Sequence, residues 1–256
     1  MTGSLRSDWH GVTDVGRVRA VNEDSFAALP ERGLWLVADG MGGHAGGDWA
    51  SSRVAAGLVA GMVGGDEFDR AVARCAEAVH DANAAIWEEA QRRGAAMGTT
   101  IVALVVRGRR FAALWAGDSR IYLSRNGELL PLTRDHSQVQ GLVDRGLLMP
   151  EDAVGHPMAH VLARAVGAEP TLQLDVVVDD MESEDVFLLT SDGVHGIVAA
   201  EEMAAIVATV PIARVPGDLI ARAMALGSTD NLTAVAVRFV EPTQLLRAVA
   251  VPDTAA

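Results

Sequence analysis

The stretch Thr99–Thr133, TTIVALVVRGRRFAALWAGDSRIYLSRNGELLPLT, sets four short apolar runs between tight, glycine-marked turns. Runs rich in Val, Ile, Leu and aromatic residues and bounded by turn residues predict strands. Arg-Asn-Gly at Arg125–Gly127 is a hairpin signal. Working outward, RGLWLVADG (Arg32–Gly40) and DVFLLTSDG (Asp185–Gly193) predict strands that end in Asp-Gly. Two helices are expected over Gly46–Val63 and from about Asp66 to Arg93, with Asp48 suiting the N-terminus of the first. A helix Ser137–Arg145 closed by Gly146 comes next, then a Gly/Pro-punctuated segment to Gly167 and a strand over Thr171–Val178. Helices over Ala199–Val210 and Pro216–Leu226, a strand over Asn231–Val240 and a loose tail from about Pro242 complete the chain. Strands and helices come in blocks without a regular βαβ beat, which predicts an α+β fold with antiparallel sheet covered by helices.

Composition narrows the function. The 256 residues are half apolar, enough to bury a full core in one soluble domain. A formal net charge of −13 argues against a nucleic-acid partner, which requires a concentrated basic face. All 21 basic residues are arginine, so P-loop, protein-kinase and Schiff-base chemistries, each of which needs a lysine, are excluded. No apolar run approaches a membrane span, and the N-terminal MTGSLRSDWH lacks the apolar core of a signal peptide; a cytoplasmic monomer is expected. The one cysteine, Cys75, lies on the apolar stripe Val72, Cys75, Val79, Ala82, Ile86. Asp81 stands where a cysteine-dependent phosphatase would need arginine, so Cys75 reads as core.

The chemistry shows in the acids. Asp39, Asp118 and Asp192 end apolar strands, Asp230 precedes one, and Glu23 and Asp24 open another. Carboxylates at strand ends can converge on one rim of a sheet. An all-oxygen set without a His-rich or cysteine pattern favours Mg²⁺ or Mn²⁺ over zinc. Five of the eight residues after Asp39 are glycine, in VADGMGGHAGG (Val37–Gly47), a bare backbone beside a carboxylate.

RAVNEDS (Arg19–Ser25), VADGMGGHAGG, MGTTIVALVV, WAGDSRIYL, LTRDHS, LLTSDGV and STDNLTAVAV follow one another in the order of the bacterial PPM (PP2C-type) metal-dependent protein serine/threonine phosphatases. The resemblance covers about Trp9–Phe239. It implies a PP2C-like β-sandwich of two antiparallel sheets flanked by helix pairs, a single phosphatase domain over 1–241 with a flap at about 146–167, and a short tail over 242–256. It implies two Mn²⁺ or Mg²⁺ ions that activate a water for direct attack on phosphoserine or phosphothreonine, in proteins phosphorylated by a Ser/Thr kinase. Asp39 resembles the bridging ligand, and Gly40 the residue whose carbonyl binds one ion. Asp192 and Asp230 resemble the other direct ligands. Glu23 and Asp24 resemble the acidic pair that binds through the water shell. Arg19 resembles the phosphate-gripping arginine, whose planar fork suits phosphate oxygens. His44 resembles the general acid of the eukaryotic relatives, a loop-stabilising role being the alternative, with His136 the next candidate for the acid.

Two features depart from the pattern. Gly196 stands where many relatives carry an acid, so a third ion held by Asp118 with Asp192 and water is expected to be weak. His156 and His160, four apart in HPMAH, could bind zinc on a helix, but Pro157 favours His156 as a helix entry. Two other classes compete with this reading: a catalytically silent sensor or scaffold of the same fold, against which the intact acids count, and a calcineurin-type phosphoesterase, whose DxH and GNHE segments are absent.

Overall fold

The computed structural model describes residues 5–42, 46–153, 156–158 and 161–241. Strands β1 (Arg6–Asp14), β2 (Asp24–Leu29) and β3 (Leu34–Met41) precede helices α1 (Gly47–Gly61) and α2 (Phe68–Arg93). The two-residue β4 (Gly98–Thr99) leads into β5 (Ile101–Arg107), β6 (Arg110–Ala116), β7 (Arg120–Arg125) and β8 (Glu128–Pro131), the four strands expected of the opening stretch. Short helices α3 (Gln138–Asp144) and α4 (Pro150–Ala153) follow, then β9 (Asp175–Asp180), β10 (Val186–Thr190), α5 (Asp192–His195), α6 (Ala200–Thr209), α7 (Val215–Ala225) and β11 (Leu232–Val240).

The strands form two antiparallel sheets, β1-β11-β10-β7-β8 and β2-β3-β5-β6-β9, with β4 paired to β3. Both faces of each sheet are covered, which is why the central strands read as continuous apolar runs rather than alternating ones. Trp35, Val37, Leu104 and Phe111 of one sheet meet Ile121, Phe187, Val235 and Phe239 of the other. The aromatic contacts Phe111–Phe187 at 4.8 Å and Trp35–Phe239 at 5.6 Å between ring centres tie the sheets together edge to face. The alternate residues Leu34, Leu36 and Ala38 pack outward under α1 and α2, joined by Leu58, Cys75, Val79 and Ile86. On the far side Tyr122, Leu188 and Ala236 pack under α6 and α7 with Met203, Val215 and Leu219. This is the α+β sandwich with flanking helix pairs, and Cys75 is fully buried core.

Two local expectations are corrected. The strand expected over Thr171–Val178 runs over Asp175–Asp180; Leu172 and Leu174 instead pack against the α1/α2 core from the lead-in. His156 enters no helix: its Nδ1 accepts the Met158 N–H at 3.1 Å in a turn, and His160 lies outside the described residues. β1 was not foreseen. Among the described residues no helix is long and apolar enough to cross a membrane.

Candidate active site

Antiparallel pairing of β2 with β3 sets Asp24 directly opposite Asp39. Asp39 is fixed through its backbone: its N–H donates to Thr100 Oγ1 at 2.9 Å, and its carbonyl accepts from Thr100 N at 2.8 Å and Thr99 Oγ1 at 2.9 Å. Asp24 is only 7% exposed; its Oδ2 accepts hydrogen bonds from Ser191 Oγ and Thr233 Oγ1, both at 2.7 Å. Its Oδ1 is buried and has no hydrogen-bond partner among the described residues. Burial pushes the Asp24 carboxyl up to about 6 against those two donors, and Asp192 and Asp230 push the same way.

Asp39 is raised well above the ordinary carboxylate range, first by burial and then by the charges of Asp24, Asp192, Asp118 and Asp230. These five carboxylates, remote in sequence, thus lie within one electrostatic field. Asp192 begins α5 at the end of β10, and Asp230 precedes β11. Asp118 is 7% exposed in the turn between β6 and β7. Among the described residues no three His, Cys, Asp or Glu side chains form, as they stand, a group that could hold an ion. The donor chemistry nevertheless fits hard cations: the cluster offers only oxygen, its charges oppose one another, and one buried carboxylate oxygen is unmatched.

Glu23 and the glycines sit together. A Cβ on Gly40 would come 2.1 Å from the Gly47 carbonyl oxygen and 2.6 Å from that of Glu23, so the residue must be glycine for backbone reasons alone. A Cβ on Gly47 would meet Glu23 Oε1 at 2.7 Å, which places this carboxylate at the N-terminus of α1. Burial raises the Glu23 carboxyl while Arg19 opposes the shift. Arg19 is half-exposed and donates from Nη2 to Asp230 Oδ2 at 2.8 Å. His44 lies outside the described residues.

Sequence reasoning missed the residues that hold the acids. Asn231, 5% exposed, accepts the Glu23 N–H at 2.8 Å and donates to the carbonyls of Val15 at 2.9 Å and Val21 at 3.0 Å. It thereby clamps both ends of the loop that carries Arg19. Its place after Asp230 in STDN was the available signal. Ser191, Thr233 and Thr100 are hydroxyl partners whose roles depend on strand register, which no local motif encodes. A Cβ on Gly196 would lie 2.7 Å from the Asp192 carbonyl oxygen.

Comparison with known proteins shows the family of the chain. The chain is 33% identical to the Listeria monocytogenes serine/threonine phosphatase stp, over 88% of this chain and 93% of that one. It is 37% identical to the Mycobacterium tuberculosis serine/threonine protein phosphatase PstP over 90% of this chain, but spans only 44% of that protein's length. A structure of PppA, described as a key regulatory component of T6SS in Pseudomonas aeruginosa, superposes with a TM-score of 0.86 at 36% identity, covering 92% of this chain and 99% of that one. A PstP catalytic domain in complex with two manganese ions superposes with a TM-score of 0.82 at 34% identity, covering 93% and 100%. Residues 16–215 match the sequence profile of Protein phosphatase 2C, and the chain belongs to that family.

Proposed function

We propose that this chain is a divalent-cation-dependent protein serine/threonine phosphatase that acts on phosphoserine and phosphothreonine in proteins, in the cytoplasm, opposite a bacterial Ser/Thr kinase. The observation that carries the reading is the convergence of four other aspartate charges on Asp39. The names of the relatives and the two manganese ions of the PstP catalytic domain support it.

Asp39, Asp192 and Asp230, with the Gly40 carbonyl, would hold two Mn²⁺ or Mg²⁺ ions, Asp24 and Glu23 would act through water, and Asp118 would serve a weaker third ion. Bound there, such cations supply the Lewis acidity and counter-charge that phosphoryl hydrolysis needs. The protein's own part is positional. Ser191 and Thr233 hold one oxygen of Asp24 and leave Oδ1 available. Arg19, exposed enough to exchange Asp230 for a substrate, offers its fork to the phosphate. His44 is the proposed donor of a proton to the leaving alkoxide. Residues up to 241 are taken as one phosphatase unit.

Turnover of a phosphothreonine peptide by the wild type and by Asp192→Ala tests the assignment. A loss of roughly two orders of magnitude or more in kcat is expected from removing a ligand; unchanged turnover would mean that the residues are wrongly assigned.

A further inference from the structure

His136 lies outside the carboxylate cluster, yet it is tied to the turn that carries Asp118. Its backbone N–H donates to the Gly117 carbonyl at 2.9 Å, and its Nδ1 accepts the Gly117 N–H at 3.2 Å. Gly117 is thus clamped through both its peptide groups. It has little freedom of its own: φ is +111°, and a Cβ would come 2.6 Å from Thr100 Cγ2. On the other side of Asp118, Ser119 Oγ pairs with Thr100 Oγ1 at 2.7 Å, the hydroxyl that also accepts the Asp39 N–H.

The ring is itself held. With Nδ1 accepting from Gly117, the ring proton belongs on Nε2, which lies 3.3 Å from Asp175 Oδ2. Arg164 Nη1 sits 3.1 Å from Nε2 and donates to Asp175 Oδ1 at 2.8 Å. The Trp115 ring lies parallel to the imidazole, 6.0 Å between centres at an interplanar angle of 14°, and is anchored by its Nε1–H to the Arg134 carbonyl at 2.8 Å. The His136 carbonyl accepts the Ala163 N–H at 2.7 Å, so the segment leading toward β9 closes on the same residue.

We infer that His136 is a positioning residue for Asp118: it clamps Gly117 while Trp115 and Asp175, itself held by Arg164, fix its ring, so that the Asp118 carboxylate reaches the cation-binding rim in one orientation. The inference rests on the proposed reading of Asp118 as a cation ligand. Both ring nitrogens are engaged within the protein, which removes His136 as the alternative proton donor to substrate. Burial, then Arg164, lowers its pKa, in keeping with the neutral ring that an accepting Nδ1 requires.

Calorimetric titration of the full chain with Mn²⁺ tests this without recourse to turnover. His136→Leu should weaken the Asp118-dependent binding about tenfold, the scale of removing a group that orients a ligand. His136→Asn, whose amide oxygen can replace the Nδ1 acceptor, should recover most of it. In an Asp118→Asn background His136→Leu should add no further loss, because the pair acts as a unit. Wild-type affinity in His136→Leu, or an equal loss with and without Asp118, would overturn the inference. If His136→Leu does not fold, Asp175→Asn takes its place: about a threefold loss that vanishes in the Asp118→Asn background is expected, and none overturns it. A wild-type chain that takes up no Mn²⁺ at all would instead defeat the cation reading on which this one rests.

Discussion

Asp24 and Asp39 face each other on neighbouring strands, two carboxylates in register on β2 and β3, each raised by burial and by the other acids around it. Like charges placed so closely oppose folding until cations neutralise them. Asp39→Asn should therefore raise the melting temperature of chelator-treated protein by a few degrees while abolishing most of the stabilisation that millimolar Mn²⁺ gives the wild type. Thermal unfolding with and without Mn²⁺ measures both. A variant that melts below wild type in chelator would contradict the stored repulsion.

The side chains proposed to touch substrate should separate in kinetics. Arg19→Ala should raise KM for phosphopeptides about tenfold or more with a smaller effect on kcat, since its fork binds phosphate in ground and transition states alike. His44→Ala should instead slow phosphopeptides roughly ten- to a thousandfold and barely affect p-nitrophenyl phosphate, whose leaving group needs no proton. Equal slowing of both substrates in His44→Ala would leave the proton to another donor.

Much of this was legible beforehand, and the residues say why. The central strands and long helices announce themselves because each is periodic or continuously apolar over its own length, and Asp39, Asp118, Asp192 and Asp230 stand out at strand ends. β1 was missed because its RSDWHGVTD mixes polar residues with a glycine and lies at a sheet edge, where only its pairing with β11 makes it a strand. The same limit hid Ser191 and Thr233: they reach Asp24 only through the placement of β2 against β10 and β11, a relation between segments roughly 170 to 210 residues apart.

Asn231 supplies a prediction that sequence alone would not. Asn231→Ala would strand the Glu23 N–H and the Val15 and Val21 carbonyls, so a loss of about 2–4 kcal/mol in stability is expected. Because the freed loop carries Arg19, KM for phosphopeptides should rise with it. Denaturant unfolding and peptide kinetics on the same preparation check the two together, and a stable variant with normal KM would exclude the clamp.

His195 makes the fold acid-sensitive. Burial, and next the charge of Arg120, lower its pKa to about 4 from 6.5, and its Nδ1 pairs with Thr190 Oγ1 at 2.9 Å. Between those values the unfolded chain binds a proton that the folded chain refuses, so this contribution is complete above about 6.5 and is lost as pH falls toward about 4. At most about 3 kcal/mol is at stake. Unfolding between pH 7 and 4 should show a steeper fall for wild type than for His195→Asn; parallel curves would contradict the assignment.

The central claim is that clustered carboxylates hold the cations that perform the hydrolysis. The direct measurement is phosphothreonine-peptide turnover by chelator-stripped protein, followed by titration with Mn²⁺ or Mg²⁺. The account predicts activity lost with the metal and restored by either ion in wild type, but not in Asp39→Ala at the same concentrations. Full turnover in excess chelator would contradict it.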